Sequence, residues 1–211
     1  MPGWDEDSPE LAANLARAQR LATEHALARR RLTLADIKAW HRATMQGLDV
    51  EEEAAELGVA PQDLVGQFRG PPKLVDIGVR IGAHRGAPSK DVAAQTQRFI
   101  GTLQSLLRAL DKRLPADELD ALDVDGLHAI AEAAAWAHSE WVRIHPFANG
   151  NGRTSRLIGN AVLVRYGLPP VFRLRPRPEG SYADAATAAM VGDHMPMTTY
   201  VVNELLARAK R

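Results

Sequence analysis

A mainly α-helical bundle carrying one small β-hairpin is the fold class this sequence predicts, on three observations. The first is an apolar stripe, Val92, Thr96, Phe99, Leu103, Leu106, Leu107 and Leu110, at helical spacing. The second is an alanine-rich run from Leu127 with Ile130, Ala131, Ala134, Ala135, His138, Trp141 and Val142 on one side. Its small residues let a neighbouring helix approach closely. The third is that a single stretch, Leu74–Ile81, combines β-branched residues with partial alternation between Pro71-Pro72 and Gly82. At 211 residues the chain suits one core. Residues 1–32 read as an N-terminal helical extension, 33–182 as the core, and 183–211 as a C-terminal helix packed on it.

Each element has a local cause. Ser8-Pro9-Glu10 supplies an N-cap, a first-turn proline and a first-turn acid, and Leu11, Leu15, Ala18 and Leu21 extend that helix to about Arg30. Arg29-Arg30-Arg31 then complements a helix C-terminus better than it reads as a nucleic-acid contact. Thr33-Leu34-Ala35-Asp36 is a capping-box variant opening a second helix through Ile37, Trp40, His41 and Met45. With no basic recognition face, these two helices read as bundle packing rather than a helix-turn-helix. Glu51-Glu52-Glu53 starts a short helix, and Gly66–Pro72 is irregular. Ser89 is expected to cap the long amphipathic helix, which Pro115 ends; Asp117-Glu118-Leu119-Asp120 reads as a turn or brief helix. The next long helix leads to His145. A further one, from about Asn151 to Tyr166, turns Leu157, Ile158, Ala161, Val162 and Val164 inward and stops at Gly167 and Pro169-Pro170. Arg173–Gly180 reads as a solvated basic connection, and helices near Ser181–Met190 and Met197–Lys210 close the chain.

Composition excludes several classes. Charge balances at 26 basic against 26 acidic residues, so no bulk attraction to nucleic acid or an anionic membrane is expected. Without cysteine there is no disulfide, thiolate nucleophile or cysteine zinc site. The acidic Met1–Asp7 does not resemble a signal peptide, and no apolar run reaches spanning length. A soluble, cytoplasmic protein is the expectation.

The chemistry concentrates in His145-Pro146-Phe147-Ala148-Asn149-Gly150-Asn151-Gly152-Arg153-Thr154-Ser155-Arg156. Gly150 and Gly152 lack a Cβ and permit positive φ and close approach of a ligand. A loop of this kind entering a helix turns several amides toward one point and makes an anion site. Arg153 and Arg156, at i and i+3, add two guanidinium forks. His145 supplies a base titrating near neutral pH. Base, amide cradle and arginine pair point to transfer of a phosphate-linked group.

This stretch resembles the Fic-domain signature, His-x-Phe-x-(Asp or Glu)-Gly-Asn-(Gly or Lys)-Arg-x-x-Arg. It matches at His145, Phe147, Gly150, Asn151, Gly152, Arg153 and Arg156 and departs at Asn149, where an acid is usual. The resemblance implies a protein adenylyltransferase: AMP passes from ATP, with Mg²⁺, to a Ser, Thr or Tyr hydroxyl of a target protein. His145 is implied as the base. The Gly150-Asn151-Gly152 amides with Arg153 and Arg156 are implied as the nucleotide site, and Phe147 reads as an apolar pin. Asn149 falls at the Mg²⁺ position, with a carbonyl oxygen but no charge. A β-hairpin flap at Gly78, Val79, Arg80 and Ile81 is implied to dock the target by strand addition, or merely to cover the core. His84 and Arg85 are equally consistent with surface residues and nucleotide contacts. The alternatives are phosphoryl, uridylyl or phosphocholine transfer on the same fold, and a binder without turnover. The family's inhibitory (Ser or Thr)-x-x-x-Glu-(Gly or Asn) helix, whose Glu pairs with the second arginine, has no counterpart here. Arg156 is therefore expected to be restrained by a separate antitoxin-like inhibitor or not at all.

Overall fold

The computed structural model describes residues 3–116 and 122–210. Eight α-helices occur among them: α1 (Pro9–Leu27), α2 (Leu34–Met45), α3 (Glu51–Leu57), α4 (Ser89–Arg113), α5 (Val124–Ile144), α6 (Asn151–Arg165), α7 (Ser181–Ala189) and α8 (Met195–Ala209). Strands β1 (Arg80–Ile81) and β2 (His84–Arg85) form an antiparallel hairpin, with Arg80 opposite Arg85 and Ile81 opposite His84.

The paired helices α5 and α6 form the centre of the bundle. Every residue of α6 except Gly152 is buried, because α1 and α2 cover one side while α5 covers another. Helices α4, α7 and α8 pack on α5. The alanines of α5 at 131, 134, 135 and 137 are fully buried, which is how two helices can lie close enough to share Trp141, Phe147 and Leu157. No helix among the described residues is long and apolar enough to cross a membrane.

Local signals placed most elements correctly. Ser8 caps α1 by accepting from Leu11 N, and Thr33 and Asp36 form a reciprocal capping box on α2. Gly167 takes a left-handed φ of 76° just past α6. Four expectations are corrected. Ser89 is the first helical residue rather than the cap of α4, a place held by Pro88; its Oγ instead accepts from Asp76 N at 3.2 Å. Helix α5 begins at Val124, not Leu127, because Asp123 caps it by accepting from Gly126 N at 2.6 Å. Helix α1 stops at Leu27, since Arg29 adopts a φ of 45°; Arg29 then donates to Leu114 O and sits over the Tyr166 ring.

The strand expected over Leu74–Ile81 is also far shorter. Asp76 takes a φ of 62°, which breaks an extended run, and Leu74 exchanges backbone hydrogen bonds with Gly70. Leu74 and Ile77 instead fill a second apolar cluster with Met45, Val50, Ala54 and Leu64. Only Arg80 and Ile81 pair, and Gly78 and Val79 precede the strand. The turn expected at Asp117-Glu118-Leu119-Asp120 lies outside the described residues.

Candidate active site

Helix α5 ends at Ile144 and is capped by His145, which takes a left-handed φ of 53° as its N–H closes the last turn on Trp141 O. The ring nitrogen Nδ1 lies 2.9 Å from Val142 O. Since a carbonyl only accepts, Nδ1 carries the proton and Nε2 keeps the free lone pair. Burial pushes the imidazole down to about 4, helped by the nearby Arg69 charge and opposed by the Val142 bond. At neutral pH His145 is therefore a neutral base with a fixed tautomer.

What holds this strained residue is Arg69, which sequence reasoning missed. Only 2% exposed, it donates to Ile77 O at 2.7 Å, Ala87 O at 2.9 Å and His145 O at 2.7 and 2.9 Å. Its own N–H donates to Pro146 O at 2.7 Å. One planar fork thus ties the flap approach, the start of α4 and the His145 backbone together. Burial lowers its pKa only to about 10, so it stays charged. Arg69→Met is expected to orphan these carbonyls at a cost of about 3–5 kcal/mol, lowering Tm by roughly 10 °C. A thermal melt within about 2 °C of the parent would contradict this.

The loop after His145 is built around Phe147. Its buried ring stacks on His41 at 3.8 Å and 18°, and tilts against Phe68. His41 Nδ1 accepts from Gly66 N at 2.9 Å, so its Nε2–H faces Asn149 O at 3.3 Å. Phe147 is the apolar pin expected; His41, read as an ordinary helix residue, is the plate beneath it. Gly150 takes a φ of 67°, and a Cβ there would fall 2.9 Å from His41 Nε2. Gly152 differs from expectation, being an ordinary residue in the first turn of α6 without positive φ.

Asn151 has a structural role besides its expected amide. Its Oδ1 accepts from Phe147 N at 2.9 Å and its Nδ2 donates to Phe147 O at 2.8 Å, so the side chain clasps the loop. Only its backbone amide remains for an anion. The first intrahelical bond of α6 runs from Thr154 N to Gly150 O, which leaves the amides of Asn151, Gly152 and Arg153 at the open N-terminus.

Asn149 has both side-chain polar atoms buried without a hydrogen-bond partner. Arg156 donates to Tyr182 OH at 3.2 Å and to Leu174 O at 2.9 Å, and Tyr182 OH lies 2.9 Å from His138 Nε2. Arg153 donates to Trp4 O at 2.9 Å and to the Asp5 carboxylate, under the Trp4 ring. These groups, His138 excepted, line one cavity of about 410 Å³. His145, Asn149, Gly150, Asn151, Gly152, Arg153 and Arg156 all reach it, as do Arg80, Ile81 and His84 of the hairpin. Gly78 and Val79 are not part of its wall. Arg175 and Arg177, from the loop read as a solvated connection, complete a strongly cationic lining. No group of three or more His, Cys, Asp or Glu residues suited to a metal occurs among the described residues.

The family model described as Fic/DOC family matches residues 31–163. The chain is 43% identical over 131 residues to "Protein adenylyltransferase Fic" of Nematostella vectensis, covering 61% of this chain and 30% of that protein. It is 30% identical over 172 residues to the protein of the same name from Drosophila erecta, covering 82% and 28%. The chain therefore spans less than a third of the length of these relatives. Among solved structures, a Fic domain containing signaling protein from Bacteroides thetaiotaomicron superposes with a TM-score of 0.63 at 19% identity, over 93% of this chain and 69% of that one. Fic-1 from C. elegans gives 0.61 at 23% identity, over 98% and 52%. At these identities the structural likeness speaks to fold alone.

Proposed function

The chain belongs to the Fic/DOC family, and from that premise we propose that it transfers AMP from ATP to a hydroxyl of a target protein. The observation that carries this reading is His145 Nε2, unprotonated and free, in one cavity with the open amides of α6 and two arginines from its first turns. A Ser, Thr or Tyr hydroxyl attacks the α-phosphorus while His145 Nε2 takes its proton. The bond from the α-phosphorus to the β-bridging oxygen breaks, and pyrophosphate leaves. The Gly150–Arg153 amides accept the charge that shifts onto phosphate oxygens, and Arg153 and Arg156 hold the outer phosphates in line. Tyr182 and Leu174 O orient Arg156 for that role. The backbone edge of Arg80 and Ile81, beside the cavity, would hold the target segment as an added strand.

Mg²⁺ fits the donor set in a restricted way. The buried, unpartnered Oδ1 of Asn149 is a hard but neutral oxygen, and the triphosphate would supply the charged ligands. When bound, Mg²⁺ offsets phosphate charge. A carboxylate at the same place would add an attraction of about 4 kcal/mol per unit of metal charge at 4 Å and an effective dielectric of 20, part of which desolvation cancels. Asn149→Asp is therefore expected to lower the Mg²⁺ concentration for half-maximal labelling at least about tenfold. A Mg²⁺ titration that superposes on the parent's would reject this role for Asn149.

A second reading, a nucleotide or protein binder without turnover, is favoured by that same neutral Asn149. Parallel incubations with Mg²⁺, a lysate and ATP labelled at the α- or the γ-phosphate separate these readings: α-label on protein means nucleotidyl transfer, γ-label alone means phosphoryl transfer, and neither means a binder. We place the protein in the cytoplasm. A separate small inhibitor protein bound over Arg156 remains a candidate regulator, and a pull-down of active protein that is always alone would dismiss it.

A further inference from the structure

Arg153 and Arg175, one from α6 and one from the loop after it, converge on a single oxygen that belongs to the chain itself. Arg175 Nη1 donates to Asp5 Oδ1 at 2.8 Å, and Arg153 Nη2 donates to the same oxygen. Arg175 Nη2 adds a bond to Asp5 O at 2.8 Å, and its Nε pairs with Asp7. Trp4 lies over the Arg153 guanidinium at 5.0 Å and accepts from it through its carbonyl. Two forks on one anionic oxygen form the geometry in which arginines hold a phosphate oxygen.

As a device for stability this arrangement is poor. The Asp5 side chain is 61% exposed, and exposed pairs contribute little. Arg153 Nη1 is left buried without a partner. The segment is otherwise held by a parallel bridge between Gly3 and Asp49, a bond from Trp4 N to Asp49 O at 3.1 Å, and a half-buried Trp4 ring packed against the clusters of Leu11, Leu15 and Leu48 and of Met45 and Val50. Segments with so few backbone hydrogen bonds to the rest of the fold open at low free energy.

We propose that Trp4–Asp7 is an internal occupant of a polyphosphate subsite built by Arg153 and Arg175, its Asp5 carboxylate standing where an outer phosphate of the nucleotide binds. The nucleotide must displace this strap, and Arg175 is a phosphate ligand that the signature motif does not contain. The strap covers Arg153, whereas Arg156 donates to Tyr182 and Leu174. The inference deepens the adenylyl-transfer reading and rests on it only for the identity of the polyphosphate as ATP.

An occupant in place nine-tenths of the time weakens apparent affinity about tenfold. Calorimetric titration of the full chain with MgATP is therefore expected to show Asp5→Asn binding about tenfold tighter than the parent. Adding Arg175→Gln to Asp5→Asn is expected to weaken binding about tenfold again. Unchanged affinity in Asp5→Asn overturns the occupant, and no loss in the double variant overturns the role of Arg175. In the unmutated protein, saturating MgATP is expected to speed amide exchange at Trp4, whose N–H lies on Asp49 O. Unaltered exchange there overturns displacement whether or not the variants fold. Transfer of α-label is scored separately. If Asp5→Asn binds ATP more tightly but labels no protein, the strap stands and the adenylyl-transfer reading falls. Labelling with unaltered affinity does the reverse, and absence of ATP binding in both proteins overturns both.

Discussion

His145→Ala is expected to slow labelling of target protein from α-labelled ATP by about 10²–10⁴-fold, the usual contribution of a positioned general base. ATP affinity should stay within about twofold, because in the proposed mechanism His145 touches the attacking hydroxyl rather than the triphosphate. The pH profile provides a second readout. Burial holds the imidazole down to about 4, so the basic form persists through the neutral range. Labelling should be flat between about pH 6 and 8 and fall only as pH approaches the lowered pKa. An unperturbed histidine would already be half protonated near pH 6.5. A His145→Ala protein as fast as its parent, or an acid limb centred at 6.5, would remove His145 from the chemistry.

The second large effect is on stability in mild acid. His41, His138 and His145 are pushed down to about 4, 3 and 4, in each case chiefly by burial. Their ordinary value is 6.5. Between the folded and unfolded values the unfolded chain binds more protons, so stability rises with pH. The contribution is complete above about 6.5 and is lost as pH falls toward 4. Each histidine adds a slope of up to about 1.4 kcal/mol per pH unit. Three together lose about 6 kcal/mol between pH 7.5 and 5.0, a large fraction of a typical domain's 5–15 kcal/mol. His25, lowered mainly by burial, acts in the same direction. The depressed carboxyl of Asp111 matters only below its ordinary 3.8. Melts at pH 7.5 and 5.0 are expected to differ in Tm by on the order of 15 °C. Equal values would mean that these rings can be protonated in place.

These predictions draw on two kinds of information. The signature loop, its arginine pair and the Phe147 pin were all legible from residue types at fixed spacing. Ser8, Thr33 and Gly167 announced helix ends for equally local reasons. The long strand was misjudged because β-branched composition cannot reveal that Asp76 turns left-handed while Leu74 and Ile77 enter a cluster with Met45 and Leu64. Arg69 carried no signal at all: its acceptors are backbone carbonyls, one of them 76 positions away at His145. Nor did the sequence reveal the side-chain clasp of Asn151 on Phe147, which depends on the loop's curvature.

By itself the sequence determined where most helices form and where the signature residues of the candidate site lie. Period, caps and glycine placement act over a few neighbouring residues, where chain geometry leaves few choices. Only the tertiary structure decided what each site residue faces. Burial kept the His145 imidazole neutral, and folding brought Asp5 to Arg153, 148 positions away. Desolvation and ion pairing are properties of the space around a group, and that space is assembled from distant parts of the chain.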